Sequence, residues 1–483
     1  MEKCALQRSK ENVCELFSIR NRQLETLGFK LDEGLHRDSW LPDGTYFHLS
    51  NSGFKFYPER NSGLNSGFTY PNFSYVDREN NLWIGTENGL YNYFNLNIEE
   101  YNFNLGTPDN VWSVVEDDEG TMWIGSYGNG LYTLDKKGSL RFVDFGHGVI
   151  PNAAGSNKLM YMGSTTDGNE TVYMTLGYGV AMFKNDKFSG CSVTHGGLYA
   201  YYDKQSGQIM YSGMDSISSK RGLYIGIGRD KKFYPFDRGF PICIIRDGSG
   251  KIRVGGMRGT AVLVNGQLKT DNVNRPYVGV ISMDMDDRKR LWKATEKGVY
   301  VELPDEREER VAPLFLTGAY TSLIVYRNKY VVAGGTHGFA IVDITKYGDY
   351  ANLPVVNVDY EGGFTGLESG QNGIWADKEG YVWLATALNV LKFNPDEIIR
   401  TSILKLPDVR ISNITFSPDN DSWDTHYFSE GNIAVHSENK FFRIEYIANS
   451  ISAPKSLRFK YRLKDFQMSG HKWFIPKRQS LPI

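Results

Sequence analysis

The sequence predicts an all-β protein organised as a β-propeller, on three observations. A phrase made of a polar turn, a short apolar strand, a glycine turn and a second strand recurs about every 40 residues. The recurring segments alternate apolar and polar residues as strands do, not with the 3.6-residue period of helices. Among 483 residues, 51 are Gly and only 17 Pro, with 30 Tyr, 27 Phe and 9 Trp, a balance that favours pleated surfaces joined by tight turns. The chain is too long for one ordinary core.

The clearest copies are NLWIGTENGLYNYF at 81–94 and TMWIGSYGNGLYTL at 121–134. Others start at Pro42, Asp167, Asp247, Asp286, Arg327 and Asp377, and a worn copy, SGQIMYSG, surrounds Gly207. With the tryptophan of the phrase as anchor, the series is Phe47, Trp83, Trp123, Tyr173, Met210, Arg253, Trp292, Val332 and Trp383. A period of about 40 residues with two to four strands per unit is that of a propeller blade. The last seven anchors predict a seven-bladed ring at 101–400. Phe47 and Trp83 mark blades around 42–60 and 77–95, remnants of an N-terminal propeller within 1–100.

Each part of the phrase has a physical role. The Asp-x-x-Gly turns (DDEG, DGSG, DKEG) offer an Asx-type bond and a residue free to take positive φ. The aromatic that follows packs between blades, and burying roughly 200 Å² of indole contributes about 5 kcal/mol before entropy is subtracted. The glycine of TENG or TEKG closes the next turn. Segments such as NVWSVVEDDEG (110–120) and NGIWADKEG (372–380) read as innermost strands running into the Asp turn. In a four-stranded antiparallel blade this puts the Asp turns on one face of the disc. The glycine turns and the loops between blades share the other face, where a ligand would be read.

Residues 108–135 (PDNVWSVVEDDEGTMWIGSYGNGLYTLD) and 366–395 resemble the two-component regulator propeller repeat. Residues 439–474 resemble the triple-tyrosine, immunoglobulin-like domain that follows such propellers, matching at Tyr446, Ala453-Pro454, Tyr461-Arg462-Leu463 and Trp473. The resemblance implies an incomplete Ig-like sandwich over 401–483. It also implies the periplasmic sensor region of a Bacteroidetes hybrid two-component protein. In that plan two seven-bladed propellers and the Ig-like domain precede a membrane helix, a histidine kinase, a receiver and a DNA-reading helix-turn-helix. The implied ligand is an oligosaccharide released from a glycan, the implied partner a second copy in a homodimer, and the output transcription regulation. The sequence departs from that plan at both ends, as in a truncated sensor: Lys464–Phe466 replaces the usual Glu-Gly-Phe, and neither signal peptide nor membrane span nor kinase is visible.

A formal net charge of −2 provides no field to attract nucleic acid, and no nucleic-acid contact is expected. Membrane attachment is expected only through a missing span. Cys4, Cys14, Cys191 and Cys243 form no CxxC and read as free thiols that leave the compartment open. Asp117/Asp118 and Asp286/Asp287 read as solvated turn acids, and DMDDRKR (284–290) lacks calcium-loop spacing. The eight histidines show no metal-ligand spacing, so no metal, cofactor or catalytic residue is expected.

Binding is expected from the glycine-turn face. Tyr127 and Asn129 (SYGNG) pair an aromatic surface with an amide, the usual means of holding a sugar. Arg258, Lys297 and His337 add donors suited to acidic sugars, and Gln371 and Asn372 are expected near the axis, just before an innermost strand. Two other readings stand beside the sensor: a free-standing carbohydrate- or protein-binding propeller, and a lyase of the streptogramin-lyase type, which would need clustered histidine and carboxylates beside a metal.

Overall fold

The computed structural model describes residues 5–10, 13–20, 23–31, 37–40, 46–50, 53–57, 71–77, 81–93, 97–105, 109–143, 163–168, 171–175, 179–185, 187–270, 279–346, 348–404, 409–419, 421–427 and 441–448. The chain forms two compact units, Met1–Ile403 and Leu404–Ile483. In the first unit seven four-stranded antiparallel sheets follow one another: blades 1 to 7 at 111–142, 164–193, 200–235, 243–270, 280–310, 320–359 and 369–393. Their innermost strands stand side by side in chain order, and that of blade 7 returns to that of blade 1. The ring is all-β as the repeat predicts, and each of the seven anchors lies on the second strand of its blade.

Blade 7 is completed from a distance. Its outermost strand is Ile98–Tyr101, paired antiparallel with Val390–Phe393 so that Ile98 faces Phe393 and Tyr101 faces Val390. The chain therefore closes the ring by hydrogen bonds between its first and last strands, which leaves only the short outer edges of the blades.

In five of the seven blades the repeat is held together by a carboxylate in the turn before the anchor. Asp117 accepts the backbone N–H groups of Glu119 and Thr121 on Oδ1, at 3.0 and 2.9 Å, while Oδ2 accepts the indole N–H of Trp123 at 2.8 Å. Asp286–Trp292 and Asp377–Trp383 repeat the indole bond at 2.9 and 2.8 Å. Tyr173 donates its hydroxyl to Asp167 at 3.4 Å, and Arg253 donates Nε to Asp247 at 2.6 Å. Asp117 and Asp286 are buried, so these acids are turn anchors and not the solvated residues the sequence suggested; only Asp118 and Asp287 face solvent. A buried carboxylate survives there because both of its oxygens accept hydrogen bonds.

Each anchor then packs on the following blade. Val115, Trp123 and Leu131 of blade 1 cluster with Val172, Met174, Ala181 and Phe183 of blade 2. Trp292 and Val301 meet Val331 and Val342, and Trp383 and Val390 meet Val111 and Ile124 across the closure.

Among the described residues, three further sheets, each of three strands, precede the ring at 5–31, 37–57 and 71–93. Phe47 and Trp83 lie on the middle strands of the second and third; the first carries no copy of the phrase. After blade 7 the helix Pro395–Leu404 begins on an Asn394 cap, whose Oδ1 accepts Asp396 N at 2.9 Å, with proline in the first turn where its missing N–H costs nothing. Ile398 of this helix is buried in the cluster that holds Ile98 and Phe393. Asn97 Nδ2 donates to Thr401 Oγ1 at 3.1 Å.

The second unit shows a three-stranded antiparallel sheet with Val409–Ser417 between Asp424–Tyr427 and Phe441–Ala448. Tyr446 lies on its third strand opposite Ile411. Ala453, Pro454, Tyr461, Arg462, Leu463, Lys464, Phe466 and Trp473 fall outside the described residues.

Candidate ligand-binding face

Strand alternation puts the turns between second and third strands on the same face as the loops leading into each innermost strand. Tyr127 and Asn129 occupy that turn in blade 1, Arg258 in blade 4, Lys297 in blade 5 and His337 in blade 6. Arg258, Lys297 and His337 are exposed and follow one another round the rim, so they do not converge with Tyr127 at one place. His337 Nδ1 lies 2.7 Å from Thr336 Oγ1. His195, in the loop that leads into blade 3, is a second histidine on this face.

The blade 1 residues are organised by an irregular strand. The register of the innermost strand Val111–Glu116 slips between Val111 and Ser113, and the bulged residue is Trp112. Its indole stacks on the Tyr127 ring, centroids 5.2 Å apart at 29°, and donates to Asn110 Oδ1 at 2.9 Å. Asn110 adopts the left-handed conformation, φ 48°, which asparagine tolerates better than most residues, and its carbonyl accepts Tyr127 N at 2.8 Å. Asn129 Nδ2 donates to Asp109 O at 3.3 Å. Below them the buried Asp109 carboxylate accepts the N–H groups of Phe103, Asn104 and Leu105 at 2.8, 3.1 and 2.7 Å, fixing the path from the closing strand into blade 1. Tyr127, 39 % exposed, thus presents a braced aromatic surface.

Gln371 and Asn372 do reach the axis, but from inside the innermost strand Ser369–Ala376 and not before it. Pairing with the second strand of blade 7 jumps from Ser369–Thr386 to Ile374–Leu384, so Gly370–Gly373 bulges out of the ladder. The flanking glycines lie against blade 1: a Cβ on Gly370 would stand 3.1 Å from Trp112 Cα, and one on Gly373 would stand 2.9 Å from Trp112 O. Asn372, at φ 56°, donates Nδ2 to Ile242 O at 2.6 Å, in the segment leading into blade 4. Blade 7 therefore reaches across the ring.

Deeper among the innermost strands, Asp284 of blade 5 accepts Val325 N of blade 6 at 2.7 Å and its neighbour Met285 N at 2.8 Å. Desolvation pushes its carboxyl up to about 6; the two N–H donors oppose the rise and Asp286 adds to it. Desolvation likewise raises Tyr199 and Tyr201 of blade 3, each of which also feels Asp284. Among the described residues Cys191 and Cys243 are free thiols, Cys243 buried.

Sequence reasoning missed Trp112, because plain alternation takes it for one more strand residue. The asparagine before it, a residue suited to positive φ, is the local signal of the irregularity.

No curated protein matches the chain in sequence. Among solved structures, the extracellular domain of a protein assigned as a hybrid two component system in B. thetaiotaomicron aligns at 14 % identity and a TM-score of 0.39, over 97 % of this chain and 78 % of that one. The extracellular domain of a protein assigned as a one component system in the same organism gives 14 % and 0.49, over 98 % and 68 %. Virginiamycin B lyase from Staphylococcus aureus gives 13 % and 0.46, over 62 % and 98 %. No helix among the described residues is long and apolar enough to cross a membrane. Residues 106–128 match the family described as two component regulator propeller. That match runs from the loop before blade 1 through Trp112 to Tyr127, so the chain carries a two component regulator propeller repeat in the same blade that presents the stacked aromatic pair.

Proposed function

We propose that the chain is the ligand-sensing, extracytoplasmic region of a two-component signal-transduction protein, reading a glycan-derived oligosaccharide in the periplasm and passing the signal to a histidine kinase. The observation that carries this reading is the coincidence, within residues 106–128, of the regulator propeller repeat and a braced aromatic pair in which Tyr127 is exposed and Trp112 half-buried. Stacking of a pyranose C–H face on an aromatic ring, with amides beside it to bond hydroxyls, is an economical way to hold a sugar on a rigid scaffold. The ring supplies rigidity through its closure and the Asp anchors. Signalling follows if the oligosaccharide has different affinities for two arrangements of a homodimer, since a ligand with equal affinity for both shifts nothing.

Isothermal titration with a panel of oligosaccharides is the test, combined with chromatography of the recovered sugar. Saturable binding with the sugar returned intact supports a sensor. Shortened products would replace it with an enzyme, and the absence of binding across the panel would remove the oligosaccharide.

A further inference from the structure

The cationic candidates of the glycine-turn face and its aromatic pair lie on different blades. Arg258, Lys297 and His337 stand on blades 4, 5 and 6. Where blade 7 meets blade 1 the side chains are Trp112, Tyr127, Asn110, Asn129 and Gln371, all neutral. Among the described residues the charged groups beside them are carboxylates: Asp109, committed to three backbone N–H groups, and the exposed Glu368, whose carbonyl accepts Ala387 N at 3.0 Å. An anionic sugar placed there would meet like charge and, among the described residues, no cation. Gln371 is half-buried, and its amide has no hydrogen-bond partner among the described residues. It sits in a bulge pressed against the Trp112 backbone by two glycines that leave no room for a Cβ. The next residue, Asn372, spends one of its two amide N–H groups on Ile242 O across the ring, which fixes the orientation of that side chain.

Resting on the oligosaccharide reading above, we infer that blades 7 and 1 form a subsite for a neutral sugar ring. Tyr127 and Trp112 are its stacking floor, Gln371 is the amide that reads the sugar hydroxyls, and Asn372 is a positioning residue that holds Gln371 there by its bond to Ile242. The neutral amide fits an uncharged sugar because it both donates and accepts, whereas a uronic acid would bring a carboxylate toward Glu368 without a compensating cation.

The experiment titrates the protein with cellohexaose, mannohexaose and xylohexaose as neutral probes and with hexagalacturonate as an acidic probe of equal length, followed by calorimetry and tryptophan emission. The expected result is that a neutral hexaose binds, shifting an emission component that is lost in Trp112→Phe, and that hexagalacturonate binds at least about tenfold more weakly. Gln371→Ala weakens the neutral probe by about tenfold. Asn372→Gly, which keeps the left-handed backbone and removes the donor, produces the same loss, and the double variant is no worse than either single one. Tighter binding of hexagalacturonate overturns this subsite and leaves the sensor reading standing. Binding of none of the four probes overturns both. Independent, additive losses in the double variant overturn the positioning role of Asn372.

Discussion

The indole nitrogen of Trp123 lies 2.8 Å from Oδ2 of Asp117, six residues earlier, and the other oxygen of that carboxylate closes the turn between them. One side chain thus fixes both the turn and the rotamer of the residue that packs on the next blade. Asp117→Ala strands a buried indole N–H and two turn amides, and is expected to cost about 2–4 kcal/mol. Trp123→Ala is expected to cost about 3–5 kcal/mol. The double variant should cost clearly less than the sum, because each single change already breaks the shared bond. Urea unfolding of the three variants measures this; additive costs would mean that the two side chains act separately.

Arg253 occupies the anchor position of blade 4 and keeps the bond to the turn acid, but adds a second: its Nη2 lies 2.7 Å from Glu302 Oε1 in blade 5, and Lys293 binds Glu302 and Glu308. Desolvation tends to raise Asp247, yet the bonds from Arg253 and Ser249 outweigh it and hold the carboxyl below its usual range. Stability from a depressed carboxyl is present above its unfolded pKa and is lost as pH falls toward the folded one. Arg253→Met is therefore expected to cost about 3–5 kcal/mol at pH 7, by leaving the buried Asp247 carboxylate without its cation while Glu302 keeps Lys293. The gap to the native protein should narrow in unfolding experiments as pH falls from 5 toward 3.

Asp284 has the opposite sign. Its folded carboxyl titrates at about 6, above the unfolded value, so the native state holds the proton more tightly. This group's contribution is fully present below about pH 4 and is lost as pH rises through about 6. Asp284→Asn retains one acceptor for Val325 N and no charge to desolvate, and is expected to raise the melting temperature at pH 7.5 by a few degrees. The same change should flatten the pH 4–6 segment of the stability profile. A profile identical to that of the native protein would show that the carboxylate is already well solvated.

The closing strand offers a local test of the ring. Ile98 is buried with Phe339, Phe393 and Ile398. Ile98→Asp puts a charge into that cluster, which should release the strand and open the blade 7 edge. Amide exchange of residues 390–393 is then expected to rise by orders of magnitude while blades 2 to 5 keep their protection. Uniform loss of protection would instead mean that the seven blades open as one unit.

What the sequence made legible was whatever the chain repeats. The anchors Trp123, Trp292 and Trp383 stand out by type, and even Arg253 and Met210, which share no chemistry with tryptophan, are placed by spacing alone. What it hid were contacts made once, between distant segments. Ile98–Tyr101 has nothing local to say that its partner is Val390–Phe393. Asn372 looks like any loop amide until Ile242 is brought to it. Trp112 sits in a strand whose alternation reads as regular, and the bulge that turns it toward Tyr127 is a decision of the ring and not of the local sequence. The candidate face was therefore readable as a face, while the packing of its aromatic corner was not.

The bond between Asn97 and Thr401 brings the two ends of the ring segment to one place. The chain arrives at the ring through Asn97 and departs through the helix at Thr401, and those two residues are bonded to each other beside the closing strand. Both connections of the ring segment are thus gathered on blade 7, so loosening that single blade would free the entry and the exit of the ring at once while the other six stay closed. The bulge at Gly370–Gly373, which meets Trp112, belongs to the same blade.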